Sequence, residues 1–152
     1  MMIIVEGPDG SGKSTLVELI RQKSHRFFWL MRPSGPPKSR QDILRTLHWV
    51  RLRQPELSIL LDRHPAISEP IYGPRLRGLN KIPDFDSPEG RKILLWGTNV
   101  IVYCRPALPV IVSNCFSSFQ LEGVREQIED IVGAYDRMMQ ELSASFRVLK
   151  YD

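Results

Sequence analysis

The sequence predicts an α/β fold: a three-layer sandwich of about five parallel strands with helices on both faces, forming one domain over residues 1–152. Three observations predict it. A chain of 152 residues that is 42% hydrophobic and 25% charged can bury a sizeable core in a single unit. Short apolar runs alternate with amphipathic stretches, the order that builds βαβ units. A glycine-rich turn joins the first apolar run to the first amphipathic stretch, where a parallel sheet passes from strand to helix.

Each element follows in order. Residues 2–7 (MIIVEG) read as a short buried strand. Residues 13–23 (KSTLVELIRQK) read as a helix with Leu16, Leu19 and Ile20 on one face. Residues 26–32 (RFFWLMR) read as a second strand, stopped by PSGPP, which cannot continue a ladder. In residues 39–53, Ile43, Leu44, Leu47 and Val50 recur at helical spacing, and residues 57–63 (LSILLDR) hold a third strand. Residues 64–86, broken by proline and glycine and without clean periodicity, read as a long loop on the substrate side. In residues 87–97, Ser87 suits a helix cap, Pro88 the first helical position and Glu89 the positive end of the helix dipole. Residues 99–104 (NVIVYC) give a fourth strand. Residues 121–142 give the longest helix, with Val124, Ile128, Ile131, Tyr135, Met138 and Met139 along an apolar stripe, and residues 146–151 a fifth strand.

Composition narrows the class. No apolar run reaches the length of a membrane span, and the apolar start is too short for a signal peptide, so no membrane partner is expected. Cys104 and Cys115 have neither metal-ligand spacing nor the look of a disulfide framework, which makes a reducing, cytoplasmic interior the default. A net charge of +4 suits anionic partners from nucleotides to nucleic acid, and equally an ordinary basic surface.

The chemistry starts at residues 7–14, GPDGSGKS, which match G-x-x-x-x-G-K-[ST] between a strand and a helix. Gly7, Gly10 and Gly12 permit backbone shapes that side chains would block. Amides of the loop and of the helix N-terminus, through Ser11 and Thr15, would face anionic oxygens. Lys13 would pair with the outer phosphates of ATP, and the Ser14 hydroxyl would hold Mg²⁺.

Two further stretches narrow the class. Residues 29–37 (WLMRPSGPP) follow the second strand, and residues 59–73 (ILLDRHPAISEPIYG) span the end of the third. With an acid before Gly7 and Asp9 inside the loop, they resemble the thymidylate kinase and deoxynucleoside kinase group of P-loop kinases. The resemblance covers roughly the first 75 residues and the strand–helix order beyond. It implies a P-loop NTPase fold and transfer of the γ-phosphate of ATP to a pyrimidine deoxynucleotide. It implies that Asp62 organises Mg²⁺ and accepts a proton from the attacking oxygen. Arg63 and Arg32 would hold the acceptor's anionic group, Asp9 would face the acceptor, and Ser68 and Tyr72 would line its pocket. Plainer readings stay open beside these: a strand-end ion pair for Asp62 and Arg63, a solvated turn for Arg32, core packing for Tyr72. His64 either stacks on a base or packs, while His25 and His48 read as structural.

The sequence departs from that group at the lid. Residues 107–123 contain no arginine or lysine, so a reduced lid is expected at about 113–121, with Arg105 or Arg125 as neighbouring substitutes. Arg75, Arg77 and Lys81 are other candidates, and Arg75 is counted among the substrate-binding residues. The same basic patch also reads as a solvated loop, or as a clamp for DNA. Some phage kinases of the resemblance group phosphorylate 5-hydroxymethyluracil in DNA, which is the alternative acceptor. A non-catalytic nucleotide-binding module is the reading from another class. Related kinases are often dimers, and a homodimer is possible on that ground.

Overall fold

A computed structural model describes residues 1–33, 35–117 and 123–152. Five strands form one parallel sheet: β1 (Met2–Glu6), β2 (Trp29–Met31), β3 (Ile59–Asp62), β4 (Val100–Cys104) and β5 (Val148–Tyr151), in the spatial order β2-β3-β1-β4-β5. β1 is central: Ile4 lies opposite Leu61 on one side and Ile101 on the other. The fold is the expected α/β sandwich.

Alternation along the strands separates two cores. Met2, Ile4, Ile59, Leu61 and Ile101 point to one face, where most of the helices pack. These helices are α2 (Arg40–Arg53), α3 (Pro65–Arg77), α4 (Pro88–Leu94), α5 (Leu108–Ser117) and α6 (Ile128–Ser143). Val5, Leu60 and Cys104 point to the other face and meet Val17 of α1 (Lys13–Lys23) and Phe28. Because all strands run the same way, β1 and β3 end side by side at Glu6 and Asp62. In open parallel sheets, ligands bind beyond such carboxyl ends.

Local signals explain most boundaries. Ser39 and Asp42 form a reciprocal capping box on α2. The Ser87 hydroxyl accepts from the Gly90 amide and caps α4, with Pro88 in its first turn. On α1 the buried apolar residue is Val17, with Leu16 and Ile20 half-buried beside it, whereas Leu19 is exposed, so the packed stripe is displaced from the expected one.

The largest difference lies at 64–86. Its first half is not a loop but the thirteen-residue helix α3, followed by a single 3₁₀ turn at Pro83–Phe85. The helix carries Pro70 and Pro74 internally, which reads as punctuation in a sequence. Residues 66, 67 and 69–73 are all buried, so no polar face marks a period. Its ends are well specified: His64 caps the start, Pro65 opens the first turn, and Gly78 closes it at φ 66°.

The longest helix, α6, starts at Ile128 rather than 121; residues 121–122 lie outside the described residues. The reduced lid expected at 113–121 lies outside them from 118 onward, and up to Ser117 that stretch is the end of α5. Among the described residues, no helix is long and apolar enough to cross a membrane.

Candidate active site

The glycine-rich loop leaves β1 at Glu6 and enters α1 at Lys13. Gly7 is fixed by crowding and by its φ of 148°: a Cβ there would stand 2.5 Å from the Cys104 carbonyl and 2.8 Å from Ser11 Oγ. Gly12 sits in the left-handed region at φ 83° and acts as the N-cap of α1 without any side-chain cap, so the first amides of the helix face outward. Ser14 and Thr15 stand exposed in that first turn.

Lys13 is buried and its Nζ donates to the Pro8 carbonyl at 2.5 Å, folding the ammonium back over the loop. Burial lowers its pKa to about 8; Arg63 adds to the push, while Asp9, Glu6 and Asp62 oppose it. An anion in the loop would offset the cost of burying that charge. Ser11 Oγ is also buried with no hydrogen-bond partner, an orphan polar atom inside the cradle. Both observations fit a phosphate chain.

Asp62 closes β3, only 6% exposed, and its Oδ2 accepts from Arg32 Nε at 2.7 Å. Arg32 also reaches Glu18 of α1 at 3.8 Å. Arg63 does not pair with Asp62. It takes φ 73°, the left-handed region that side chains seldom adopt, and turns its guanidinium to the Asp9 carboxylate and to Tyr72 Oη at 3.1 Å. The guanidinium carbon also lies 4.7 Å from the centre of the Tyr72 ring, and Tyr72 Oη accepts from the Asp9 amide at 3.2 Å. Asp9, Arg63 and Tyr72 thus form one connected unit between the loop and α3. Tyr72 is buried, with its pKa pushed up mainly by burial, so the hydroxyl stays protonated.

The other expected residues are turned elsewhere. Ser68 Oγ donates back to the His64 carbonyl at 3.3 Å. Arg75 donates to Asp130 of α6 at 2.5 Å and to the Ile71 carbonyl at 2.9 Å, so its charge faces α6 rather than the loop. Arg77 is bound to the buried Glu69 at 2.5 Å, and Lys81 lies 4.0 Å from the same carboxylate. Arg105 grips Asp136 through Nε and Nη2 at 2.9–3.2 Å. Arg125 donates to the Cys115 carbonyl at 3.0 Å, and Cys115 Sγ in turn lies 3.1 Å from the Asp9 carbonyl, so this arginine stands one residue away from the loop. Asn114 Nδ2 donates to the Gly10 carbonyl at 2.8 Å, which places α5 directly on the loop. Neither α5 contact was signalled by a motif.

Sequence reasoning also passed over Glu6 and Tyr135. Glu6 is fully buried, accepts from the His64 amide, and accepts from Tyr135 Oη at 3.0 Å. The acid before Gly7 was visible; its partners were not. Burial lowers His64 to about 3, and its Nδ1 accepts from the Ala66 amide, so it is a neutral cap that packs.

Among the described residues, no group of three or more His, Cys, Asp or Glu could hold a metal ion by itself. A hydroxyl on the helix start and a carboxylate on a strand end suit Mg²⁺, which prefers oxygen ligands and completes its shell with water and phosphate oxygens.

No family model matches the chain, and no curated relative does. Solved structures do. YorR from Bacillus subtilis, in complex with phosphorylated GDP, superposes with a TM-score of 0.73 at 16% identity over 100% of this chain and 85% of its own. Deoxyadenosine kinase from M. mycoides, with products dCMP and dCDP bound, matches at TM-score 0.64 and 15% identity, covering 100% of this chain and 90% of its own. The same enzyme with bound dATP gives TM-score 0.64 at 16% identity. What this chain shares with them is the fold, a parallel five-stranded sheet with helices packed on it.

Proposed function

We propose that the chain is an ATP- and Mg²⁺-dependent phosphotransferase of the nucleotide kinase type, with a pyrimidine deoxynucleotide as acceptor. One observation carries the reading: at the carboxyl ends of β1 and β3, a phosphate loop with its lysine faces a strand-end carboxylate and an arginine from a strained turn. The strained backbone at Arg63 belongs to the kind that concentrates at functional sites. Neighbours of the same fold bind deoxynucleotides, and the base class follows the resemblance of residues 29–37 and 59–73 to thymidylate kinases.

The roles follow from position. Loop amides between residues 7 and 15 bind the phosphates of ATP, and Lys13 swings from the Pro8 carbonyl onto the outer ones. Ser14 and Asp62 would hold Mg²⁺, which when bound neutralises charge on the transferring group. Asp62, oriented by Arg32, positions the attacking oxygen in line. Arg63 leaves Asp9 to take the acceptor's anionic group through its fork of N–H donors. Asp9 and Tyr72 line the acceptor side.

The test is transfer of labelled γ-phosphate from ATP to thymidine, the deoxynucleoside monophosphates, and DNA with and without 5-hydroxymethyluracil. Label on a free pyrimidine monophosphate is the expected result, and Lys13→Ala should cut it by roughly a thousandfold. Label on DNA alone moves the acceptor to the polymer. Tight ATP binding with no acceptor labelled would make the chain a non-catalytic module and overturn the proposal.

A further inference from the structure

Glu6 is the last residue of β1, and its side chain points to the face of the sheet that carries α3 and α6. Its two hydrogen-bond partners, the His64 amide and the Tyr135 hydroxyl, both lie outside the phosphate loop. One carboxylate oxygen accepts the His64 amide and the other accepts Tyr135 Oη at 3.0 Å, so a single side chain joins the end of β3 to the middle of α6. The Tyr135 ring is held in turn, edge-on to Tyr72 and stacked on Tyr103, with centroids 6.1 Å away in each case.

What Glu6 holds is the turn at Arg63. Among the described residues, Arg63 is the one non-glycine residue with positive φ. A side chain in that region is strained and persists only where surrounding contacts over-determine it. Here two consecutive amides are pinned by two consecutive residues of β1: Arg63 N donates to the Val5 carbonyl at 3.0 Å, and His64 N donates to Glu6. The first is a backbone bond that any residue at position 5 would offer. The second needs an acceptor at the reach of a glutamate. Without it, the turn can relax toward ordinary φ and carry the guanidinium away from Asp9 and Tyr72.

We propose that Glu6 is the positioning residue for Arg63: its carboxylate, shared between the His64 amide and the Tyr135 hydroxyl, holds the left-handed turn that aims the guanidinium at the acceptor side. The proposal rests on the kinase reading for its kinetic consequence and on the geometry alone for its structural one. Glu6 itself meets neither ATP nor acceptor.

The experiment measures acceptor and ATP parameters per folded molecule for four variants. Glu6→Ala should raise the acceptor KM about tenfold and leave ATP affinity within about twofold. Glu6→Gln keeps an acceptor oxygen for His64 and a polar atom for Tyr135, and should restore wild-type values. Tyr135→Phe removes one of the two bonds and should raise the acceptor KM about threefold; it decides the matter if Glu6→Ala fails to fold. In an Arg63→Ala background, Glu6→Ala should add nothing, since both changes act through one group. Multiplying effects, a Glu6→Ala variant that only melts earlier, or a Tyr135→Phe variant with the wild-type acceptor KM would overturn the inference. If the wild type phosphorylates no acceptor, the functional reading has failed, and the ¹⁵N signal of Arg63 Nε then decides. A signal displaced in Glu6→Ala and kept in Glu6→Gln supports the assignment; one unmoved in both ends it.

Discussion

Helix α3 has an arginine–carboxylate pair at each end, and the two differ in what holds them. At its start, Arg63 meets Asp9, a carboxylate carried by the phosphate loop, with about one-fifth of each side chain exposed. At its end, Arg77 and Lys81 meet Glu69, whose side chain is 1% exposed and which also accepts the Lys81 amide at 3.1 Å. The first pair spans the turns that follow β1 and β3 at the carboxyl end of the sheet, and a ligand anion can replace its acid. The second is sealed under its own helix, and replacing its acid would strand a buried charge. Both look alike as basic residues near glycine and proline. Their difference lies in the opposing carboxylate: one moves with the phosphate site, the other belongs to the core.

The sharpest way to break this contrast is to remove one member from each end. Arg63→Ala should lower kcat/KM for the acceptor about a hundredfold, as loss of a charge-assisted phosphate contact does, with little change in melting temperature. Steady-state transfer assays beside thermal melts would show it. If the variant instead unfolds early and works normally, the first pair is structural too.

Glu69→Ala should do the reverse. It leaves Arg77 and the Lys81 amide without their acceptor, and should destabilise the fold by about 2 kcal/mol in urea unfolding. Activity per folded molecule should stay at the wild-type level. A fall in kcat would mean that the sealed cluster communicates with the site, and the comparison would lose its point.

These outcomes bear on what the sequence could tell. The phosphate loop was legible because its spacing is itself the physics: glycine where a Cβ collides, lysine and serine at the helix start. The strands were legible because each is a short apolar run, down to the carboxylate at Asp62. Helix α3 was not, since it is buried nearly all round and holds two prolines, so neither periodicity nor composition marks it. Pairings were the least legible. The sequence sets Asp62 beside Arg63, yet the left-handed turn sends Arg63 to Asp9 and leaves Asp62 to Arg32, thirty residues earlier. Tyr135 fell on the apolar stripe of α6 and read as core, which is true of its ring; its hydroxyl, bonded to Glu6, lies 129 residues from its partner. A single chain carries no signal for such a distance.

The smallest expected effect is a slope, and it sharpens the contrast by setting Glu6 apart from an ordinary buried acid. Burial raises Glu6 to about 7, against the pull of the His64 amide, Arg63, Tyr135 and Lys13, whereas the unfolded chain releases this proton near 4.5. Between those values the folded state binds more protons, so stability falls as pH rises. The contribution is fully present below about 4.5 and is lost as pH passes through about 7. Glu6→Gln has no proton to lose there. Its stability relative to wild type should therefore climb by roughly 1 kcal/mol per pH unit at most between pH 5 and 7. Urea midpoints of both proteins across that range measure it. Parallel curves would mean that Glu6 is ionised throughout, held so by Arg63 and Lys13, and the turn would then be fastened by a full negative charge rather than by a carboxyl that still carries its proton.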